Sequence, residues 1–314
     1  MPESPLSASP YEVLGVSATA SQDELRRAYR RLMRETHPDL GGSARQFNAV
    51  QLAWERVGTV DGRAAYDRGR NVPSGGVDAD DEPTWSASTT GRSGTQRADS
   101  RPRARAYGHP GGDSREAYLE LIREWVGRGV PLDDPYDPKL VRSAPREIRH
   151  QLANALAEEQ TARTVATLGI GYTVWHDVLA PGEAKIDHVV LGPTGLFAVK
   201  SEDWGGPVSV HRGEVVGETL GAREEPVRSI VRSARTVAKA ARVKFTASVI
   251  VVPDGAVEES VEFIGRKHPV TVLVERSRLA DVLRTGLPGI ERMGGNQLFD
   301  IRTRLQQTVR FVGV

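Results

Sequence analysis

The sequence predicts a multidomain protein: an all-α N-terminal domain with a helical hairpin, a disordered linker, and then an α/β domain. The chain has 314 residues, which is more than one hydrophobic core usually serves. Helical periodicity dominates its N-terminal part, whereas apolar strands alternate with helices in its C-terminal half. Between these parts, residues 72–113 contain no Leu, Ile, Met or Phe. Such a segment cannot bury enough apolar surface to offset the entropy of ordering it, which favours a flexible linker.

The N-terminal domain, residues 1–71, is predicted to form a helical hairpin. Ser21 and Glu24 form a capping box that starts the first long helix. Pro38 prevents this helix from continuing, and a second capping pair, Ser43 with Gln46, starts the next one. Besides its apolar stripe, the first helix has four arginines with spacing i, i+3, i+4, i+7, which we call the arginine face: Arg27, Arg30, Arg31 and Arg34.

The C-terminal half has the pattern of an α/β domain. Residues 114–139 are predicted to form a short amphipathic helix and a connector, and residues 140–314 the domain itself. Strands and helices that alternate in this way favour a compact α/β or α+β domain. The predicted elements are a helix over 145–168, strands over 172–179, 186–191 and 196–201, a helix that begins at Pro226, and strands over 246–252 and 270–274.

Composition excludes several classes of function. Lys and Arg number 42 against 41 Asp and Glu, so the net charge of +1 excludes a globally basic nucleic-acid binder but permits a local basic patch. The chain has no cysteine, which excludes disulfides, thiolate catalysis, zinc fingers and iron–sulfur clusters. We see neither an apolar run long enough to cross a bilayer nor a secretory signal. We therefore expect a cytoplasmic protein without a membrane partner.

The N-terminal domain contains three recognisable motifs: Tyr11-Glu12-Val13-Leu14-Gly15-Val16, His37-Pro38-Asp39, and Gly62-Arg63-Ala64-Ala65-Tyr66-Asp67. Together they resemble the J domain of DnaJ-type co-chaperones, although Gly62 stands where that family usually has lysine. The resemblance implies a DnaK-type chaperone as partner, whose ATP hydrolysis is stimulated through the loop. The implied contact residues are His37, Pro38 and Asp39 with the arginine face. The alternative is a solvated helix followed by a plain turn.

The C-terminal domain carries a second set of motifs: Glu158 in the leading helix, the strand 172–178, Ile186-Asp187-His188 before Gly192-Pro193, and the strand 195–199. They resemble the NERD (nuclease-related) domain, a relative of the PD-(D/E)xK nucleases with a restriction-endonuclease-like core. The resemblance implies phosphodiester hydrolysis assisted by Mg²⁺ or Mn²⁺. Asp187 and Glu158 match the family's metal positions, and Glu202 is the third candidate ligand.

The next strand departs from the family pattern. Where the family has an acidic residue, any residue and then lysine, this chain has Lys200-Ser201-Glu202. These two candidate catalytic residues, Lys200 and Glu202, are transposed, and we expect Lys200 to lie beside Asp187 as an ion pair. Because Mg²⁺ tolerates little ligand displacement, the transposition favours a weakened or inactive centre. The alternative for Asp187 is a salt-bridged strand residue that binds no metal. Separately, we interpret His176 and His188 as packing residues.

A helix after Pro226 has a basic stripe at positions i, i+4, i+7, i+11 and i+14. This pattern favours sequence-independent contact with the phosphates of DNA or RNA, although a solvated helix face is the alternative. The leading hypothesis is a co-chaperone with a tethered, nucleic-acid-associated, degenerate nuclease-like domain. The alternatives are an active Mg²⁺-dependent nuclease regulated by the chaperone and a protein-interaction scaffold. The basic stripe consists of Arg228, Arg232, Arg235, Lys239 and Arg242.

Overall fold

The structure is a computed structural model that describes residues 4–6, 9–37, 42, 44–67, 102–127, 129–221, 224–265 and 269–312. The chain divides into two compact units. The first consists of Met1–Glu3, Ser7–Thr89 and Tyr136–Ser143, and the second of Ser4–Leu6, Thr90–Pro135 and Ala144–Val314.

All the regular elements described in the first unit are helices. Its main elements are α1 (Pro10–Val13), α2 (Gln22–Glu35), α3 (Ala44–Val57) and α4 (Val60–Asp67). The capping box predicted for α2 is present, since the Ser21 hydroxyl accepts a hydrogen bond from the backbone N–H of Glu24 and the Glu24 carboxylate accepts one from the backbone N–H of Ser21. Ser43, predicted to cap α3, lies outside the described residues. The helices pack around a small apolar core of Tyr11, Leu14, Leu25, Val50, Ala53 and Val57.

Aromatic and polar contacts hold the helices of this unit together. The rings of Tyr29 on α2 and Trp54 on α3 are stacked with their centroids 4.5 Å apart. The Tyr11 hydroxyl on α1 donates a hydrogen bond of 2.7 Å to Asp67 on α4, and Arg63 Nε donates one of 3.1 Å to the same hydroxyl. The first and last sequence motifs of the domain are therefore in contact in the folded unit.

The second unit is built on a seven-stranded mixed sheet. The strand order is β1-β2-β3-β4-β7-β9-β8, with β4, β7 and β9 mutually parallel and β3 antiparallel to both of its neighbours. A separate hairpin pairs β5 with β6. The strands are β1 (Arg105–Tyr107), β2 (Thr173–Val178), β3 (Ile186–Gly192), β4 (Gly195–Ser201), β5 (Ser209–His211), β6 (Glu214–Val216), β7 (Ala247–Val252), β8 (Val261–Ile264) and β9 (Val270–Glu275).

The central strands of this sheet are buried on both faces because helices cover both sides of it. On β4, Leu196 and Ala198 join the core with α8 (Pro226–Ala241) and α10 (Gly295–Thr308). Phe197 and Val199 join the core with α7 (Arg146–Ala166) and α9 (Arg276–Thr285). The predicted fold class, an all-α unit followed by a mixed α/β unit, is confirmed. The second unit also contains helix α5 (Gly112–Val126).

Three predicted boundaries need correction. Strand β1 lies inside the predicted linker 72–113, and it pairs with β2 through backbone atoms although its three side chains are exposed. Helix α5, predicted as a short helix outside the α/β domain, belongs to the sheet-containing unit. Helix α6 (Pro138–Ser143) belongs instead to the first unit, where Arg142 lies 5.3 Å above the Tyr66 ring.

Residues 68–101, which include most of the predicted linker, lie outside the described residues. Residues 4–6, predicted to belong to the N-terminal domain, group with the second unit. Within the described part of the chain, no helix is long and apolar enough to cross a membrane.

Candidate functional site

His37, at the end of the helical hairpin, contacts both Phe47 and Gly42. The His37 ring meets the Phe47 ring of α3 edge-on, with the centroids 5.2 Å apart. The Gly42 N–H donates a 3.0 Å hydrogen bond to the His37 carbonyl, which closes the loop between α2 and α3. Gly42 is required here because a Cβ atom would lie 2.3 Å from the Thr36 carbonyl carbon. Pro38 and Asp39 lie outside the described residues.

All four residues of the arginine face of α2 are exposed. The opposite side of α2 packs into the core through Leu25 and Ala28. Arg31 makes one i,i+4 ion pair, with Glu35, in which both side chains are more than half exposed. A pair of this kind contributes little to stability, so the charge of the face remains accessible to a partner.

In the second unit, three buried carboxylates form what we call the carboxylate cluster: Glu158, Asp177 and Asp187. Glu158 lies on α7, and the two aspartates lie opposite each other on the antiparallel strands β2 and β3, between the pairs His176–His188 and Val178–Ile186. Asp177 has a positive φ of 51°, a conformation that is strained for a residue with a side chain. Each residue of the cluster is at most 2% exposed.

The ammonium group of Lys185 lies among these carboxylates. Its Nζ atom is 2.6 Å from Glu158 Oε2, 2.5 Å from Asp177 Oδ1 and 3.7 Å from Asp187 Oδ1. Burial alone would lower the pKa of Lys185, but the three carboxylates raise it above its ordinary value. Lys185 is therefore protonated and neutralises part of the cluster's charge.

The N-terminal end of α5 supplies further hydrogen bonds to the cluster. The Ser114 hydroxyl donates 2.6 Å to Glu158 Oε1, the Gly111 N–H donates 3.2 Å to Glu158 Oε2, and the Gly112 N–H donates 3.1 Å to Asp177 Oδ2. Burial and the charge of Asp187 nevertheless raise the pKa of Glu158 to about 8. A helix N-terminus stabilises negative charge, so α5 is part of this site.

Lys200 and Glu202 pair with each other. Lys200 Nζ lies 2.9 Å from Glu202 Oε1, and the other carboxylate oxygen of Glu202 lies 3.9 Å from His150 Nε2. The direct ion pair predicted between Lys200 and Asp187 does not form, because Lys200 contacts Glu202, although the negative charges of both Glu202 and Asp187 raise the pKa of Lys200. The ammonium in direct contact with Asp187 is that of Lys185. The physical reason is that transposition placed a carboxylate within direct reach of the Lys200 ammonium. The structure thus brings Glu158 and Asp187 together, whereas Glu202 contacts a different set of side chains.

The described side chains do not fit a resident Mg²⁺ ion, the cofactor implied by the family resemblance. Magnesium requires several oxygen ligands at about 2.1 Å in octahedral geometry. Five of the six oxygens of the carboxylate cluster already accept hydrogen bonds within the described residues, and the sixth, Asp187 Oδ1, faces the Lys185 ammonium. Within the same part of the chain, no group of three His, Asp or Glu residues is arranged to hold a metal.

His176 and His188 face each other across β2 and β3. Their Nδ1 atoms are 2.7 Å apart, so one ring must donate the shared proton to the other. Burial lowers the pKa of His176 to about 4, and burial together with His176 lowers that of His188 well below its ordinary value. His188 Nε2 also lies 3.3 Å from the Ser201 hydroxyl. Both rings are buried, and their lowered pKa values favour the neutral form.

Four residues of the basic stripe lie on the exposed side of α8, whereas Arg242 is the residue that caps its C-terminal end, with a positive φ of 52°. All five side chains are exposed. Val227, Ile230 and Val237 on the other side are buried against the sheet. Arg228 pairs with Glu225, and Arg232 Nε lies 3.0 Å from Glu183. The stripe can therefore contact a surface without any change in the helix.

Sequence reasoning missed Lys185 and Asp177. Asp177 lies in the strand 172–178 of the nuclease-related motifs. Its position among apolar residues did not distinguish it from other polar strand residues. Lys185 precedes Asp187 by two positions and so shares its side of an extended segment, which was the available signal. The positive φ of Asp177, which directs its carboxylate into the cluster, has no signature in the sequence.

Comparisons with known proteins agree with the two motif sets. A model of the DnaJ domain matches residues 9–67, and a model of the nuclease-related domain (NERD) matches residues 153–253. The predicted combination of a J domain with a NERD domain is confirmed, and the carboxylate cluster lies within the second match.

Curated relatives resemble only part of this chain. The chaperone protein DnaJ of Lactiplantibacillus plantarum is 48% identical over 61 residues, which cover 18% of this chain and 16% of that protein. DnaJ of Staphylococcus saprophyticus is 43% identical over 70 residues, covering 21% and 18%, respectively. DnaJ of Streptococcus agalactiae serotype V is 43% identical over 75 residues, covering 22% and 20%. The chain thus spans a fifth or less of the length of these relatives.

Proposed function

We propose that this protein is a co-chaperone adaptor: its first unit recruits a DnaK-type chaperone and stimulates ATP hydrolysis by it, and its second unit binds nucleic acid. The observation that carries the proposal is the hairpin of α2 and α3. It presents an exposed arginine face beside a loop that begins at His37.

The physical basis of recruitment is charge complementarity. The four arginines of α2 are exposed within a helix whose other side is fixed by its core, so their positions are preorganised. A preorganised positive surface accelerates association with an acidic partner surface and orients the partner. His37, which follows this helix and packs against Phe47 of α3, then meets that partner at a fixed place. The relatives named DnaJ support this assignment, because chaperone function is what their names state.

The second unit is proposed to hold nucleic acid through the basic stripe of α8. Arg235, Lys239 and Arg242 have no ion-pair partner among the described residues, and such exposed cations can displace the counterions of a phosphate backbone. Contact of this kind is independent of sequence and sensitive to salt. DNA and RNA share this chemistry, and competition between them in a binding assay distinguishes the preferred ligand.

The rival function is an active nuclease that uses Mg²⁺ or Mn²⁺. The match to a nuclease-related domain favours it, but the pairing of Lys185 with the carboxylate cluster and of Lys200 with Glu202 opposes it. Plasmid DNA incubated with the protein and either ion should remain intact. Metal-dependent cleavage that is lost in Asp187→Ala would establish the rival.

The test of the proposed function is stimulation of ATP hydrolysis. Single-turnover hydrolysis by a DnaK-type chaperone should accelerate when the full chain is added, and His37→Gln should abolish the acceleration. The matched control is Gln51→His, a half-buried position on α3 away from the loop. Equal stimulation by wild type and His37→Gln would contradict the assignment, provided that circular dichroism shows both variants folded.

A further inference from the structure

We infer that Lys185 is the built-in counter-ion of the carboxylate cluster, so that the second unit folds and binds its ligand without a divalent cation. This inference goes beyond the proposed function. In this domain the Lys185 ammonium takes the place among the carboxylates that a metal ion would have in a nuclease. The inference can be tested independently of the stimulation of the chaperone.

The position of Lys185 supports the inference. Its ammonium lies between Glu158 on α7 and Asp177 on β2, at 2.6 and 2.5 Å, with Asp187 on β3 at 3.7 Å. It therefore links a helix to both strands, which is the structural role that a bound metal ion has between elements. The side chain is 13% exposed, so bulk water contributes little to screening these charges.

The segment that precedes Lys185 is itself anchored. Ser233 on α8 donates a 2.6 Å hydrogen bond to the Ala184 carbonyl, and Arg232 on α8 pairs with Glu183. These contacts fix the backbone immediately before Lys185, so its ammonium is directed into the cluster by the fold. A cation held in this way is covalently attached and cannot be removed by a chelator.

The other hydrogen bonds of the cluster also come from the protein. Helix α5 satisfies Glu158 and Asp177, and the Ser201 N–H donates 2.7 Å to Asp187 Oδ2. An ammonium group donates hydrogen bonds but has no open coordination position for a water or a phosphoryl oxygen. The cluster therefore has a charge balance that serves stability and binding, and it lacks a Lewis acid for hydrolysis.

The test uses calorimetric unfolding of the full chain with Mn²⁺ or with EDTA. Wild type should unfold at the same temperature in both. Lys185→Met should lower the unfolding temperature of the second unit by about 10 °C, because buried carboxylates lose their counter-ion. Lys244→Met, at an exposed lysine after α8, is the matched control and should change little. Lys185→Arg keeps the positive charge and should retain more stability than Lys185→Met.

A double-mutant cycle distinguishes a counter-ion from a packing residue. Asp177→Asn removes one negative charge beside the Lys185 ammonium, so its combination with Lys185→Met should destabilise by less than the sum of the two single changes. Stabilisation of wild type by Mn²⁺, or Lys185→Met as stable as Lys244→Met, would overturn the inference. Strict additivity in the cycle would also overturn it. If Lys185→Met does not fold, a folded Lys185→Arg supports the counter-ion and an unfolded one counts against it.

Discussion

At the scale of single residues, charge is balanced by neighbours from other elements. Lys185 forms ion pairs with three carboxylates, one each from α7, β2 and β3, and Lys200 forms one with Glu202. The transposed pair was visible in the sequence, because Lys200 near the end of β4 and Glu202 just after it lie two positions apart. The partner of Asp187 was not, because several cations precede or follow it and only the folded backbone decides which one reaches it.

Tyr11 offers a residue-scale test of the first unit. Burial and the hydrogen bond to Asp67 raise the pKa of Tyr11 from 10.0 to about 12. The neutral hydroxyl is favoured in the folded state, so its contribution to stability is full below pH 10 and is lost as the pH rises through about 12. Stability at high pH should therefore decline less steeply in Tyr11→Phe than in wild type.

The measurement for Tyr11 is the tyrosinate absorbance of wild type minus that of Tyr11→Phe as a function of pH. The difference should titrate with a midpoint near 12. A midpoint near 10 would show that the Tyr11–Asp67 hydrogen bond does not form in solution.

At the scale of elements, the long apolar strands and the capped helices were predictable. β3, β4 and β7 are buried over nearly their whole length and their sequences are almost continuously apolar, which is typical of central strands. β1 was not predictable, because Arg105-Ala106-Tyr107 is short and exposed, and it joins the sheet through long-range backbone pairing with β2 and the stacking of Tyr107 on Trp175. Helix α6 was assigned to the wrong unit, since the contact between Arg142 and Tyr66 is long-range.

The basic stripe of α8 gives an element-scale prediction. Arg235→Glu combined with Lys239→Glu should weaken nucleic-acid binding at low salt. It should also reduce the slope of log affinity against log salt concentration by about 0.9 for each phosphate of duplex DNA that is no longer neutralised. Fluorescence anisotropy with labelled duplex DNA, at several salt concentrations, measures both effects.

The matched control for the stripe makes the same charge change elsewhere. Arg278→Glu with Arg292→Glu alters two exposed arginines outside α8, one of them on α9 at the opposite face of the sheet. This pair should retain most of the binding. If both double variants lose affinity equally, net charge rather than the stripe governs binding.

At the scale of the whole molecule, the chain combines a DnaJ domain with a nuclease-related domain. The first unit has the preorganised positive surface, and the second has the exposed stripe and a carboxylate cluster that carries its own counter-ion. A chaperone recruiter joined to a binding unit raises the local concentration of the chaperone at the bound ligand. This division of labour is the central claim of the account.

Retention of a DnaK-type chaperone on immobilised DNA, in the presence of ATP, tests that claim most directly. The account predicts retention only when the full chain is added, and loss of retention in both His37→Gln and the Arg235→Glu, Lys239→Glu variant. His37→Gln should itself stay on the DNA, whereas the stripe variant should not. Retention of the chaperone by either variant at the wild-type level would contradict the adaptor function.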